Sequence, residues 1–88
     1  MVRKRIIFAG TVQGVGFRWR ARHAAERYRC TGWCRNEWDG TVLMEIQGDE
    51  GAIDLVIQEI SSGRYVEIDK MSVKTLETVE DERGFYTD

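Results

Sequence analysis

The chain has 88 residues, 42% of them hydrophobic and 32% charged, which is enough for one small domain with a single core and too little for two domains, a solenoid or a membrane protein. Its 13 Lys and Arg against 15 Asp and Glu leave a net charge of −2, but the total hides a near-cancellation. Residues 1–35 carry nine basic residues and one acid, whereas residues 36–88 carry four basic residues and fourteen acids. That asymmetry fits either a basic arm for nucleic acid or two segments that fold against each other. The basic start is followed by too few apolar residues for a secretory signal, so a cytoplasmic setting is expected. Cys30 and Cys34 do not have redox or zinc spacing. With His23 the only histidine, both thiols are expected to be small buried hydrophobes and no metal is expected.

In chain order, residues 5–12 read as a central strand. The glycine-dense stretch Gln13 to Phe17 follows as a loop. Phe17, Ala21, Ala24, Ala25 and Tyr28 then recur at helical spacing to about Arg29. Residues 31–36 and 41–47 are two strands around a turn closed by Asp39-Gly40, where glycine supplies the positive φ of a tight hairpin. Asp49 is placed to cap a second helix with the stripe Ile53, Val56, Ile57 and Ile60, ended by Ser62 and by Gly63 in the left-handed C′ position. Val66 to Thr75 is a fourth strand whose apolar parity slips between Ile68 and Met71. Phe85 and Tyr86 form a short edge strand. The order β-α-β-β-α-β predicts an α+β, ferredoxin-like split sandwich, 1–88 as one domain, with an antiparallel sheet covered on one face by two helices. The basic segment is then interleaved with the acidic one, and no arm hangs free.

Two constellations carry chemistry. In the first, the loop Gln13, Gly14, Val15, Gly16, Phe17 joins a strand to a helix that begins with Arg18. Such a loop turns successive N–H groups toward one centre, and the helix start adds partial positive charge, which suits a tetrahedral anion. Arg18 can lay a bidentate fork on phosphate oxygens. Neither the nucleotide P-loop nor the dinucleotide fingerprint is present. In the second, Gly32-Trp33-Cys34-Arg35-Asn36 leads into the hairpin; the Asn36 amide either serves the turn or, as donor and acceptor, orients a water beside the anion.

On these residues the chain resembles the acylphosphatase family. The first family signature, ending Val-Gln-Gly-Val, any residue, Phe-Arg, is matched by Ala9 to Arg18, with Phe8 where Ile, Leu or Val is more usual. The second is met by Gly32, Trp33, Cys34, Arg35, Asn36, Gly40, Val42 and Gly48. Many members have Gly-Pro after the second helix; this chain has Ser61-Ser62-Gly63-Arg64. The resemblance implies metal- and cofactor-free hydrolysis of acyl phosphates to carboxylate and inorganic phosphate. It assigns Arg18 to phosphate binding and Asn36 to positioning water. A small-molecule substrate, no nucleic-acid or membrane partner, and a monomer are expected. RNA-recognition domains share the element order, but the near-neutral charge and the missing aromatic motif argue against them. A domain of the longer hydrogenase-maturation carbamoyltransferases would bring zinc-type cysteine motifs, which are not seen here.

Trp33 and Trp38 are read as cross-strand packing beside the hairpin, with the acyl side of a substrate as the other role. Trp19 falls off the apolar stripe. Arg20, Arg22 and Arg35 are candidates for raising the local potential. Glu80-Asp81-Glu82 is read as a solvated turn.

Overall fold

A computed structural model describes all residues 1–88. The elements are β1 (Val2–Thr11), α1 (Phe17–Arg27), β2 (Thr31–Asn36), β3 (Val42–Gly48), α2 (Glu50–Ser61), β4 (Glu67–Leu76) and β5 (Phe85–Thr87). They form one five-stranded sheet in the order β4-β1-β3-β2-β5. The first four strands are antiparallel, and β5 adds parallel to β2. The expected α+β ferredoxin-like architecture is the observed one, with β1 and β3 at the centre. No helix is long and apolar enough to cross a membrane.

Register explains the core. Ile6 pairs with Met44, Phe8 with Val42, and Cys34 with Met44, so these side chains share one face of the sheet. Phe17, Ala21, Ala24 and Ala25 of α1 and Ile53, Val56 and Ile60 of α2 close over that face. Phe8 meets Phe17 edge to face with centroids 4.9 Å apart, a contact worth about 0.5–1.5 kcal/mol beyond burial. The bulky residue at position 8 thereby ties the end of β1 to the start of α1.

Strand direction fixes the site. Both β1 and β2 run antiparallel to β3 and therefore parallel to each other, and β5 follows β2. The C-terminal ends of all three thus lie at one end of the sheet, where α1 begins.

The parity slip in the fourth strand is a bulge. Ala9 pairs with Lys70 and Gly10 with Ile68, leaving Asp69 without a partner, so the alternation restarts one residue later. Two expectations at the α2 termini are corrected. Asp49 occupies the N-cap position with extended backbone, but its side chain makes no capping bond. Gly63 does not have positive φ; α2 ends at Ser62 in right-handed geometry. Glycine is favoured at 63 because a Cβ there would come within 2.9 Å of Val66 Cγ2 and 2.7 Å of Arg20 Nε, the valine being the stiffer of the two neighbours. Gly63→Ala is expected to destabilise by about 1–3 kcal/mol through overpacking, read as a lower urea midpoint at unchanged slope.

The face opposite the helices carries the charge neutralisation. Arg3, only 3% exposed, donates from Nε to Glu45 (3.0 Å), from Nη1 and Nη2 to Glu82 (2.8 and 3.2 Å) and from Nη1 to Gln47 (3.3 Å). Arg5 shares Glu45 at 2.8 Å; on the other face Lys4, paired with Ile46, meets Glu50 at the start of α2 at 3.0 Å. Gln47 also brackets Val79, donating to its carbonyl and accepting from its amide. The link between β4 and β5 must travel from one sheet edge to the other, and these bonds pin it on the way. Glu82 is therefore a half-buried partner of Arg3 rather than part of a solvated turn, a correction that pattern reading of an acidic run could not supply.

Candidate active site

The glycine loop is open on its donor side. Gly14 and Gly16 have φ of 71° and 80°, the left-handed region that costs an L-residue roughly 1–2 kcal/mol. A Cβ at either would meet nothing within 4 Å, so the sign of φ, not crowding, demands glycine there. Half-buried Val15 and buried Phe17 anchor the loop on the core. None of the amides from Gln13 to Trp19 donates to a backbone carbonyl; the first bond of α1 runs from Arg20 N to Gly16 O. The first turn has no acid and Gly16 provides no side-chain cap. A row of unused donors at a positive helix end is the elementary anion receptor. Gly16→Ala is expected to cost about 1–2 kcal/mol of stability and to raise the inhibition constant for inorganic phosphate, checked by thermal melts and competition kinetics.

The side chain of Gln13 has a role the sequence reading missed. Its Nε2 donates to the carbonyls of Glu37 (2.7 Å) and Thr41 (3.0 Å), fastening the loop to the neck of the β2–β3 hairpin. The hairpin is closed by Glu37 N to Thr41 O at 2.8 Å, and Gly40 at its tip has φ 92°. The Thr41 hydroxyl and then its amide donate to Asp39 and hold that carboxyl below its usual range. No periodicity signals the Gln13 clamp; only the fold brings the two loops together.

Asn36 ends β2 opposite Val42, on the face covered by α1. Its side-chain Oδ1 is buried and has no hydrogen-bond partner. An orphaned acceptor of this kind costs on the order of 1–3 kcal/mol, and such groups are found where a ligand or water completes the bond.

Arg18, half-buried at the start of α1, donates from Nη1 to the main-chain oxygen of Asp88 just beyond β5 and is in no ion pair. Burial pushes the Cys34 thiol up to about 12, with the nearby Arg18 charge pulling the other way. Burial also pushes Cys30 up to about 11, with Asp49 adding to it. Both cysteines are free and neither is a thiolate at neutral pH, so neither serves as a nucleophile. Arg18 therefore lies close to the strand that delivers Asn36. The docking of β5 beside it is another contribution that the sequence did not signal, since parallel pairing over fifty residues leaves no local trace.

Among the other conspicuous residues, His23 sits on the outer side of α1 with Nδ1 2.8 Å from the Trp19 carbonyl. No three His, Cys, Asp or Glu side chains converge to hold a metal. Trp33 lies beside Arg35, 5.3 Å from the guanidinium carbon, and opposite Tyr86. Trp38 is 99% exposed and packs on no strand, contrary to expectation, because it occupies the hairpin tip beyond the paired residues. Arg35 meets Glu37 at 3.3 Å.

The Acylphosphatase family model matches residues 4–87. An acylphosphatase of Geobacillus kaustophilus is 40% identical over 86 residues, covering 97% of this chain and 92% of the relative. The crystal structure of acylphosphatase from Bacillus subtilis superposes with a TM-score of 0.90 at 30% identity, covering 100% of this chain and 99% of that one. An acylphosphatase from Coxiella burnetii follows at 0.85 and 26% identity, over 99% and 92% of the two chains.

Proposed function

The chain belongs to the acylphosphatase family, so its reaction is hydrolysis of the carboxyl–phosphate bond of an acyl phosphate, and we propose that Arg18, the backbone of Gln13–Phe17 and Asn36 carry it out. The observation that bears this reading is the buried, unpartnered Oδ1 of Asn36, across the Gln13 clamp from a loop of unused amide donors. The phosphoryl oxygens sit in the nest formed by the amides of Gln13, Gly14, Val15, Gly16 and Phe17, with the Arg18 fork on the same oxygens. A water donates one O–H to Asn36 Oδ1, which turns its lone pair toward phosphorus.

An acyl phosphate is a mixed anhydride with a good leaving group, so positioning and charge stabilisation do most of the work. As the water O–P bond forms, the P–O bond to the acyl group breaks in line and the carboxylate departs with the electron pair. The water's proton passes to a phosphoryl oxygen. No histidine, thiolate or carboxylate pair is needed, consistent with the raised thiol values of Cys30 and Cys34.

The test is release of carboxylate and phosphate in equal amounts from benzoyl phosphate. Turnover is expected to be unchanged by EDTA and to show no ionisation of an enzyme group between about pH 6 and 7. Loss of turnover on chelation, or a bell-shaped profile centred there, would overturn the mechanism. The buried free thiols support a reducing cytoplasm. The arginines of the open sheet face are bonded to carboxylates, which supports the absence of a nucleic-acid partner.

A further inference from the structure

The two central strands separate just before the site. Pairing of β1 with β3 ends at Phe8 and Val42, and the last residues of β1, Ala9 to Thr11, pair with β4 alone. Beyond that point the glycine loop and the β2–β3 hairpin run on as separate segments, one forming the phosphate nest and the other following Asn36. The hydrogen bonds that rejoin them both come from one side chain, the Gln13 amide, at 2.7 Å to the Glu37 carbonyl and 3.0 Å to the Thr41 carbonyl.

The two segments are unequally anchored. Val15 and Phe17 fasten the loop to the core, and the Gly16 carbonyl takes the first bond of α1. The hairpin has no such apolar anchor beyond Asn36: Trp38 is 99% exposed, and Asp39 and Gly40 are exposed beside it. Its own bonds, from Glu37 N to Thr41 O at 2.8 Å and from Gly40 N to Glu37 O at 3.1 Å, close the turn on itself. Arg35 adds a surface contact to Glu37 at 3.3 Å. Gln13 grips the neck of this turn at the residue directly after Asn36 and at the residue directly before Val42, the strand partner of Asn36. A primary amide suits the place because its two N–H donors can serve one carbonyl each.

Resting on the site reading above, we propose that Gln13 is a positioning residue for the attacking water. It acts through Asn36, holding the hairpin so that the Oδ1 that orients the water stays in register with the phosphate nest. The nest keeps its own anchors, so loss of the clamp displaces the water and leaves the phosphate where it was. A misplacement of about 1 Å is enough to cost on the order of 10²-fold in rate.

The experiment is a double-mutant cycle read by hydrolysis of benzoyl phosphate, with kcat expressed per folded protein from urea melts. Gln13→Met keeps the length of the side chain and removes both donors. It should lower kcat by about 10- to 100-fold, while KM and the inhibition constant for inorganic phosphate stay within about twofold of the parent. Because Gln13 acts through Asn36, adding Gln13→Met to Asn36→Ala should change kcat by less than about twofold, whereas independent roles would multiply. For the same reason Gln13→Met should cost no more than Asn36→Ala does. Gln13→Asn leaves the amide one methylene short of both carbonyls; it should show the same pattern and carries the test if the apolar variant does not fold. Parent-like kcat in the Gln13 variants, a phosphate inhibition constant that rises in step with the fall in kcat, or losses that multiply in the double variant would each overturn the proposal. Parent-like kcat in Asn36→Ala overturns instead the reading of the site on which it rests.

Discussion

Asn36→Ala is expected to lower kcat for an acyl phosphate by roughly 10²–10³, the usual consequence of removing one preorganised polar group, about 2.7–4 kcal/mol, while KM stays within about twofold. The asymmetry follows from the roles proposed above. In that proposal Asn36 meets the nucleophilic water and not the substrate, so its loss leaves ground-state binding intact and removes alignment from the transition state. Arg18→Gln should instead depress kcat and raise KM together, because in the same proposal the guanidinium holds phosphoryl oxygens before and during bond cleavage. Inorganic phosphate sharpens the contrast: as a competitive inhibitor it should weaken against Arg18→Gln and bind Asn36→Ala as it binds the parent. Steady-state kinetics and phosphate competition on the two variants check all four quantities. Equal kcat in the parent and Asn36→Ala would remove the water-positioning role.

Glu82→Ala is expected to destabilise the fold by about 1.5–3 kcal/mol, the range for hydrogen bonds to a charged group, since Arg3 keeps its ion pair to Glu45 at 3.0 Å. For a domain of this size that is roughly 6–20 °C in Tm. Arg3 is 3% exposed, and Glu82 supplies two of its hydrogen bonds. The pair also has a pH signature. Burial raises the Glu82 carboxyl, but the bonds from Arg3 and Thr31 and the Arg3 charge outweigh it and hold the group below its ordinary value. A carboxyl depressed in the folded state stabilises fully above its unfolded pKa, about 4.3, and that contribution is lost as pH falls through the lower folded value. Urea melts from pH 7 down to pH 3 should therefore show stability falling below about pH 4, with a shallower acid limb in Glu82→Gln.

The order of elements was readable because apolar residues repeat in two distinct periods. Phe17, Ala21, Ala24 and Ala25 trace a helix face, and Val42, Met44 and Ile46 alternate as a strand, and all of them are buried. The loop, Arg18 and Asn36 could be proposed as a site because the motifs they stand in resemble those of one family, and the unpartnered Asn36 Oδ1 supports that proposal. What escaped depended on pairs far apart in the chain. Glu82 resembled any acidic turn until Arg3, seventy-nine residues earlier, was placed beneath it. Gln13 belonged to a motif, yet its side-chain partners lie on another hairpin. Gly63 was assigned a left-handed cap from composition alone, whereas the Arg20 and Val66 side chains packed against it set the real constraint. Local pattern reports local geometry and is silent on what tertiary packing brings alongside.

The central position of β1 has a consequence during synthesis. This strand leaves the ribosome ahead of its partners, residues 42–48 and 67–76, so until they are made it is an unsatisfied β-forming segment. Ile6, Ile7 and Phe8 in that state are a template for pairing with another nascent chain. Arg3, Lys4 and Arg5 stand directly before them as charged gatekeepers, and their repulsion keeps neighbouring chains apart while the acidic half is still unmade. Once Glu45, Glu50 and Glu82 arrive, the same three cations are taken into ion pairs. The division of charge along the sequence is thus also a division in time, with solubility supplied first and neutralisation deferred until the correct partners exist.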